Sequence, residues 1–234
     1  MNNLIINGKS YKIISRTSLA SGGNQTVEEI EIKPSLVVDN KIYNNVILKS
    51  NKHDDSIDYK SIEVFHKLNH LNIPTVKFYF AALLDGKTFL VTENLNKRQD
   101  GIIYVSSNYH PINPEITMLI ASLNGNSYND VENDSTSMEF FLSNNKLDKL
   151  LNIDEIIYKA EELAIFCNQN NVNFPEDAIF FGVNIKEKKI FDMVIGDFGS
   201  VSIDENLDIS INREAMKTAI EEFKMHFVKD NEEQ

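Results

Sequence analysis

Charged side chains at the ends of two apolar segments are the residues of this sequence best suited to chemistry. Lys49 ends the apolar run 46–48, and Glu63 follows fourteen residues later between two apolar residues. Burying an unpaired carboxylate is costly, so Glu63 is predicted to need a cationic partner, and Lys49 is a plausible one. Asp197 ends a second apolar run, 194–196, where its carboxylate could hold a divalent cation.

The elements that must position these residues follow from the hydrophobic pattern. Short β-rich runs separated by turn signals predict strands over residues 11–14, 26–32, 46–49 and 88–92. Between them, Ile62, Phe65, Leu68 and Leu71 recur every three positions and predict a helix over residues 58–71. The first half of the chain is therefore expected to be a small sheet with one inserted helix.

The second half is predicted to be more helical. Residues 94–143 contain two prolines and a long polar stretch, which indicate a long, partly mobile loop. Apolar spacing predicts helices over residues 147–168 and 212–227. Between these helices, the runs 178–183 and 189–195 are predicted to be strands joined by a charged turn.

In this order, the motifs resemble the protein-kinase family. Val46-Ile47-Leu48-Lys49 looks like the family's Val-Ala-Ile-Lys strand, Glu63 looks like the helix residue that pairs with its lysine, and Asp197-Phe198-Gly199 looks like the Mg²⁺-binding motif. The resemblance implies an α+β, two-lobed protein-kinase-like fold. Its small antiparallel-sheet N-lobe would span residues 1–93 and carry one helix, and its truncated, mainly helical C-lobe would span residues 94–234.

The resemblance also implies a role for each motif in binding ATP and Mg²⁺. Lys49 would hold the nucleotide phosphates, and Asp197 would hold Mg²⁺. Thr92 would be the gatekeeper, and the backbone of Glu93 and Leu95 would pair with the adenine edge. The implied activity is phosphoryl transfer to a protein substrate.

Two glycines lie where the family places its phosphate-covering loop. The segment reads Ser21-Gly22-Gly23-Asn24, and the full Gly-x-Gly-x-x-Gly pattern is absent. Gly22 and Gly23 therefore have two interpretations: they cover the phosphates, or they form a hairpin turn.

The family's catalytic loop is the clearest departure, because the sequence has no His-Arg-Asp. Asp177, just before a predicted strand, is the best remaining candidate. It is predicted to be a second metal ligand beside Asp197, or Asp177 or Glu176 could act as the base; an ordinary acidic turn is the third interpretation. An enzyme and a pseudokinase that acts as a protein-binding or regulatory module thus both stay open.

Composition excludes several other classes of function. The net charge of −12 and the lack of a dense Lys/Arg run argue against nucleic-acid or membrane-surface binding. Cys167 is the single cysteine, so no internal disulfide is possible, and a buried apolar role is predicted for it. Without a signal sequence or a long apolar run, the chain is expected in a cytoplasm, its own or that of a cell into which it is delivered. Only 35 residues follow Gly199, so we expect no kinase-type peptide-docking region.

Overall fold

The computed structural model describes residues 3–21, 25–51, 59–106, 114–123, 125, 152–205 and 208–225. The chain divides into two compact units. The first comprises Met1–Lys67 and Thr75–Asp100, and the second comprises Leu68–Pro74 and Gly101–Gln234.

Six antiparallel strands of the first unit close into a barrel. They are β1 (Asn3–Ile6), β2 (Lys9–Ser21), β3 (Gln25–Val38), β4 (Lys41–Asn51), β5 (Phe78–Leu84) and β6 (Lys87–Glu93). The order around the barrel is β1-β2-β3-β4-β6-β5, and the pairing of β1 with β5 closes the ring. Each strand therefore has a hydrogen-bonded neighbour on both sides.

Side-chain alternation fills the barrel with apolar residues. In β6, Phe89 and Val91 belong to the barrel core, whereas Leu90 and Thr92 lie on the outer face. The buried core consists of Leu4, Ile6, Tyr11, Ile30, Ile32, Leu36, Val46, Leu48, Tyr79, Ala82, Leu84, Phe89 and Val91. Between β3 and β4, Asp39 and Asn40 have φ angles of 49° and 63°, the left-handed pair that a tight two-residue hairpin requires.

Helix α1 (Tyr59–His70) confirms the helix predicted over residues 58–71. Its buried face is formed by Ser61, Val64 and Leu68, which recur at helical spacing. The helix ends where Asn72 adopts a φ of 57° and the N–H of Ile73 donates to the carbonyl of Leu68 at 2.9 Å. This is the hydrogen bond of a left-handed C-terminal cap.

The second unit combines a three-stranded sheet with helices. In chain order its described elements are β7 (Ile102–Ser106), α2 (Pro114–Leu123), α3 (Ile153–Gln169), β8 (Val172–Asn173), β9 (Ile179–Asn184), β10 (Lys189–Ile195), β11 (Ser202–Ile203) and α4 (Ile209–Met225). The sheet order is β10-β9-β7, all antiparallel, and β8 pairs with β11. Helices α3 and α4 pack together, and Phe181 of β9 stacks on Phe223 of α4 with ring centres 4.5 Å apart.

Two side-chain amides connect these helices to strands. Asn212 of α4 is fully buried; its Nδ2 donates to the carbonyl of Val172 at 2.6 Å, and its Oδ1 accepts from the N–H of Phe174 at 3.1 Å. Asn152, at the start of α3, makes the same two-way exchange with the backbone of Ile190, at 2.8 and 2.9 Å. Each amide uses its donor and its acceptor at once, as a neighbouring strand would.

The prediction of an α+β, two-lobed protein-kinase-like fold is wrong. Among the described residues strand exceeds helix, at 45% against 34%, and the first unit contains a closed six-stranded barrel. The prediction had too few strands because β1 and β5 were missed, and these two strands form the pairing that closes the ring. In the described part of the second unit, helices α2, α3 and α4 cover more residues than the strands, as predicted, and β7, β9 and β10 form a sheet beside them.

The long loop predicted over residues 94–143 is also wrong in its described part. That part contains β7 and α2. Pro114 is the first residue of α2, where a missing N–H costs no hydrogen bond within the helix, so this proline begins a helix rather than excluding one. In the described part of the chain, no helix has both the length and the apolar character needed to cross a bilayer.

Candidate functional site

Asp177 and Asp197 lie at the same end of the β9–β10 hairpin. Ile179 opens β9 opposite Ile195, the last residue of β10. The N–H of Gly196 then donates to the carbonyl of Ala178 at 2.9 Å, which carries the pairing one residue further. Asp177 and Asp197 are the next residues outward on the two backbone segments, so both lie at the same end of the hairpin.

Asp177 belongs to a short 3₁₀ turn, Glu176–Ala178, that leads into β9. Its side chain remains accessible to solvent. Partial desolvation raises the pKa of this carboxyl, and the negative charges of Asp197 and Glu176 raise it further.

The loop that follows Asp197 holds its carboxylate. Oδ1 accepts a hydrogen bond from the N–H of Gly199 at 3.2 Å, and Oδ2 accepts one from the hydroxyl of Ser200 at 3.1 Å. Phe198, which lies between Asp197 and Gly199 in the sequence, is buried. Each carboxylate oxygen keeps a further lone pair that can bind a cation.

The donor set of this pair fits Mg²⁺. Two carboxylates supply hard oxygen ligands, and Mg²⁺ is commonly held by one or two protein carboxylates with water and phosphate oxygens completing its shell. Within the described ranges, no group of three or more His, Cys, Asp or Glu side chains is arranged to hold a metal ion. The pair therefore suits a cation that arrives with a phosphate ligand better than an ion held by protein alone.

The residues predicted for the adenine side lie at the end of β6 and just after it. Thr92, Glu93 and Leu95 are all buried. The Thr92 hydroxyl, on the outer face of the barrel, has no hydrogen-bond partner among the residues described. The buried Glu93 carboxylate forms an ion pair with the partly exposed Arg98 at 2.7 Å, so its side chain has a structural role in addition to the backbone role predicted for it.

The remaining predicted residues lie in the first unit. Lys49 of β4 pairs in register with Val27 of β3 and Leu90 of β6. Glu63 lies at an exposed position of α1, and its pairing with Lys49 stays a prediction. Gly22 and Gly23 lie outside the described residues, and their two interpretations stay open.

Arg98 and Gly196 were not predicted as site residues. Arg98 has no distinctive sequence signal, because a basic residue in a polar segment is usually solvated. Gly196 has a weak signal, because a glycine directly before a candidate ligand indicates a close backbone approach.

No protein-family model matches this sequence, and no curated protein matches it either. The resemblance to protein kinases therefore rests on the motif residues alone.

Proposed function

We propose that this chain binds Mg²⁺ and ATP and transfers a phosphoryl group to a protein substrate. The observation that carries the proposal is the pairing of Asp177 and Asp197 at one end of the β9–β10 hairpin. Two adjacent carboxylates repel each other unless a cation lies between them, and Mg²⁺ with its phosphate ligands meets that requirement.

Each residue contributes a distinct part of the proposed chemistry. Asp197, held by Gly199 and Ser200, presents a fixed carboxylate, and Asp177 supplies the second charge. Bound Mg²⁺ would neutralise the negative charge that develops on the transferred phosphoryl group. The role of Lys49 at the phosphates stays what its motif implies. Phosphoryl transfer depends mainly on positioning and electrostatics, so the lack of a His-Arg-Asp base is compatible with activity.

The alternative is a pseudokinase-type role, in which the chain binds a partner protein without catalysis. One observation favours it: within the described ranges, no group of three or more His, Cys, Asp or Glu side chains that includes Asp177 and Asp197 is arranged to hold a metal ion. A site with so few ligands binds a divalent cation weakly on its own.

Thermal unfolding with and without Mg²⁺ and ATP tests the binding step. We expect Mg²⁺–ATP to raise the melting temperature, and Asp197→Asn, Asp177→Asn and Lys49→Ala each to reduce that shift. Glu187→Gln is the matched control, because Glu187 is an exposed carboxylate in the turn at the opposite end of the same hairpin. If wild type shows no shift at any Mg²⁺–ATP concentration, the nucleotide-binding proposal is wrong.

Incubation with γ-labelled ATP separates the enzyme from the binding module. Transfer of label to the chain itself or to lysate proteins, lost in Asp197→Asn, supports phosphoryl transfer. If Mg²⁺–ATP stabilises the chain but no label is transferred, the binding module is the better description.

A further inference from the structure

Gly196 occupies the single position between the end of β10 and Asp197. It is buried, and its N–H donates to Ala178, the residue that follows Asp177. This one peptide therefore connects the backbone segments that carry the two aspartates. A displacement of residue 196 would move Asp197 relative to Asp177.

The ring of Phe180 lies against the backbone of Gly196. A Cβ atom added to Gly196 would lie 2.6 Å from Cδ2 and 2.7 Å from Cε2 of this ring. Carbon atoms in protein interiors pack at about 3.5–4.0 Å, so even a methyl group does not fit. Phe180 is in a central strand and pairs in register with Val194 of β10 and Ser106 of β7, which limits how far its backbone can shift.

We propose that Gly196 is a positioning residue: because it has no side chain, the Phe180 ring fits against the backbone without displacing the peptide that precedes Asp197, and Asp197 keeps its place at the same hairpin end as Asp177. Its importance for cation binding rests on the proposed function, whereas its effect on the Asp197 carboxylate does not. A larger residue at 196 meets the Phe180 ring and pushes the peptide bonded to Ala178 out of place, and Asp197 moves with that peptide.

The test compares Gly196→Ala with a control that introduces the same kind of conflict elsewhere. A Cβ at Gly182 would clash with Asp192 Oδ1 and lie 2.7 Å from the Tyr104 ring, in the same sheet but away from Asp177 and Asp197. Gly182→Ala therefore reproduces the steric conflict without touching Asp197. The double variant Phe180→Ala/Gly196→Ala removes the ring that the new methyl group would meet.

Two readouts are measured on each variant. The first is the ¹⁵N–¹H signal of Gly199, whose N–H donates to Asp197 Oδ1 and reports the carboxylate position without any metal. The second is the Mn²⁺ dissociation constant in the presence of ADP. We expect Gly196→Ala to shift the Gly199 signal and to weaken Mn²⁺ binding about 10-fold or more, and we expect Gly182→Ala to leave both near wild type.

The outcomes separate this inference from the proposed function. An unchanged Gly199 signal in folded Gly196→Ala overturns the positioning role, whatever happens to Mn²⁺. If wild type binds no Mn²⁺, the proposed function fails, but the Gly199 signal still decides the positioning role. If Gly196→Ala does not fold, the double variant decides: a wild-type Gly199 signal supports the inference, and a shifted signal or failure to fold overturns it.

Discussion

The guanidinium of Arg98 donates two parallel hydrogen bonds to the carboxylate of Glu93, from Nε to Oε1 at 3.0 Å and from Nη2 to Oε2 at 2.7 Å. Nη2 also donates to the carbonyl of Thr75 at 2.8 Å, and Oε2 accepts from the N–H of Lys77 at 3.1 Å. A two-pronged, charge-assisted pair of this kind is among the strongest in proteins. It ties the end of β6 to the segment before β5.

Removal of the Arg98 guanidinium should therefore lower the free energy of unfolding. Arg98→Ala leaves the Glu93 carboxylate buried without a cation, and we expect a loss of about 3–5 kcal/mol in the free energy of unfolding, measured by urea denaturation. The matched control is Arg16→Ala, since Arg16 pairs with Glu28 at the same 2.7 Å distance but is more exposed, and about 0–1 kcal/mol is expected there. Equal losses in the two variants would contradict this interpretation.

Asn212 provides a second stability prediction. Asn212→Ala removes the partners of the Val172 carbonyl and the Phe174 N–H, so we expect a loss of about 1–3 kcal/mol. Asn212→Asp should cost more at neutral pH, because a carboxylate oxygen would then face the Val172 carbonyl. The loss of stability in Asn212→Asp should be smaller in acid, because the protonated carboxyl can donate a hydrogen bond to the Val172 carbonyl. A pH-independent penalty in chemical denaturation would show that the donor is unimportant.

Removal of the Asp177 charge should raise the stability of the fold and weaken cation binding. Partial desolvation and the charges of Asp197 and Glu176 raise its pKa in the folded state. A raised folded-state pKa stabilises the fold below the unfolded pKa of about 3.9, and this contribution is lost as pH rises through the folded-state value. Asp177→Asn should therefore raise the melting temperature at pH 7 without divalent cations. Glu187→Gln should leave it unchanged. A lower melting temperature for Asp177→Asn would refute the electrostatic reasoning.

Cys167 should be inert in the native chain. It is fully buried on α3, and desolvation raises its thiol pKa to about 12. Thiolates are the reactive form, so a native sample at pH 8 should not react with Ellman's reagent, whereas a sample unfolded in guanidinium should react promptly. The raised pKa stabilises the fold fully below the unfolded value of about 8.5, and this contribution is lost as pH rises toward 12. Prompt labelling of the native chain would indicate that α3 opens readily.

Local patterns predicted individual elements well. The spacing of Ile62, Phe65 and Leu68 located α1 to within one residue at each end, and the strand predicted over residues 189–195 matches β10. Periodicity is a property of the segment itself, so it survives folding. Proline was misleading at Pro114, because its effect depends on whether it begins a helix or interrupts one.

Pairings between distant segments could not be predicted in the same way. The ring closure depends on Ile5 and Ile6 meeting Leu83 and Ala82, and nothing local to β1 indicates that partner. The juxtaposition of Asp177 and Asp197 was easier to anticipate, because both flank one hairpin. The Arg98 guanidinium that pairs with Glu93 also donates to the Thr75 carbonyl, and no local sequence pattern connects Thr75 to either residue.

The closed ring has a consequence for association between molecules. Unpaired strand edges are where β proteins add foreign strands and aggregate, and a barrel has none while it stays closed. Here closure depends on β1, which contributes only four residues and makes two register pairs with β5. Detachment of this short strand would uncover one edge on β2 and another on β5 at the same time. The smallest strand of the barrel thus protects the barrel's own strand edges from intermolecular β pairing.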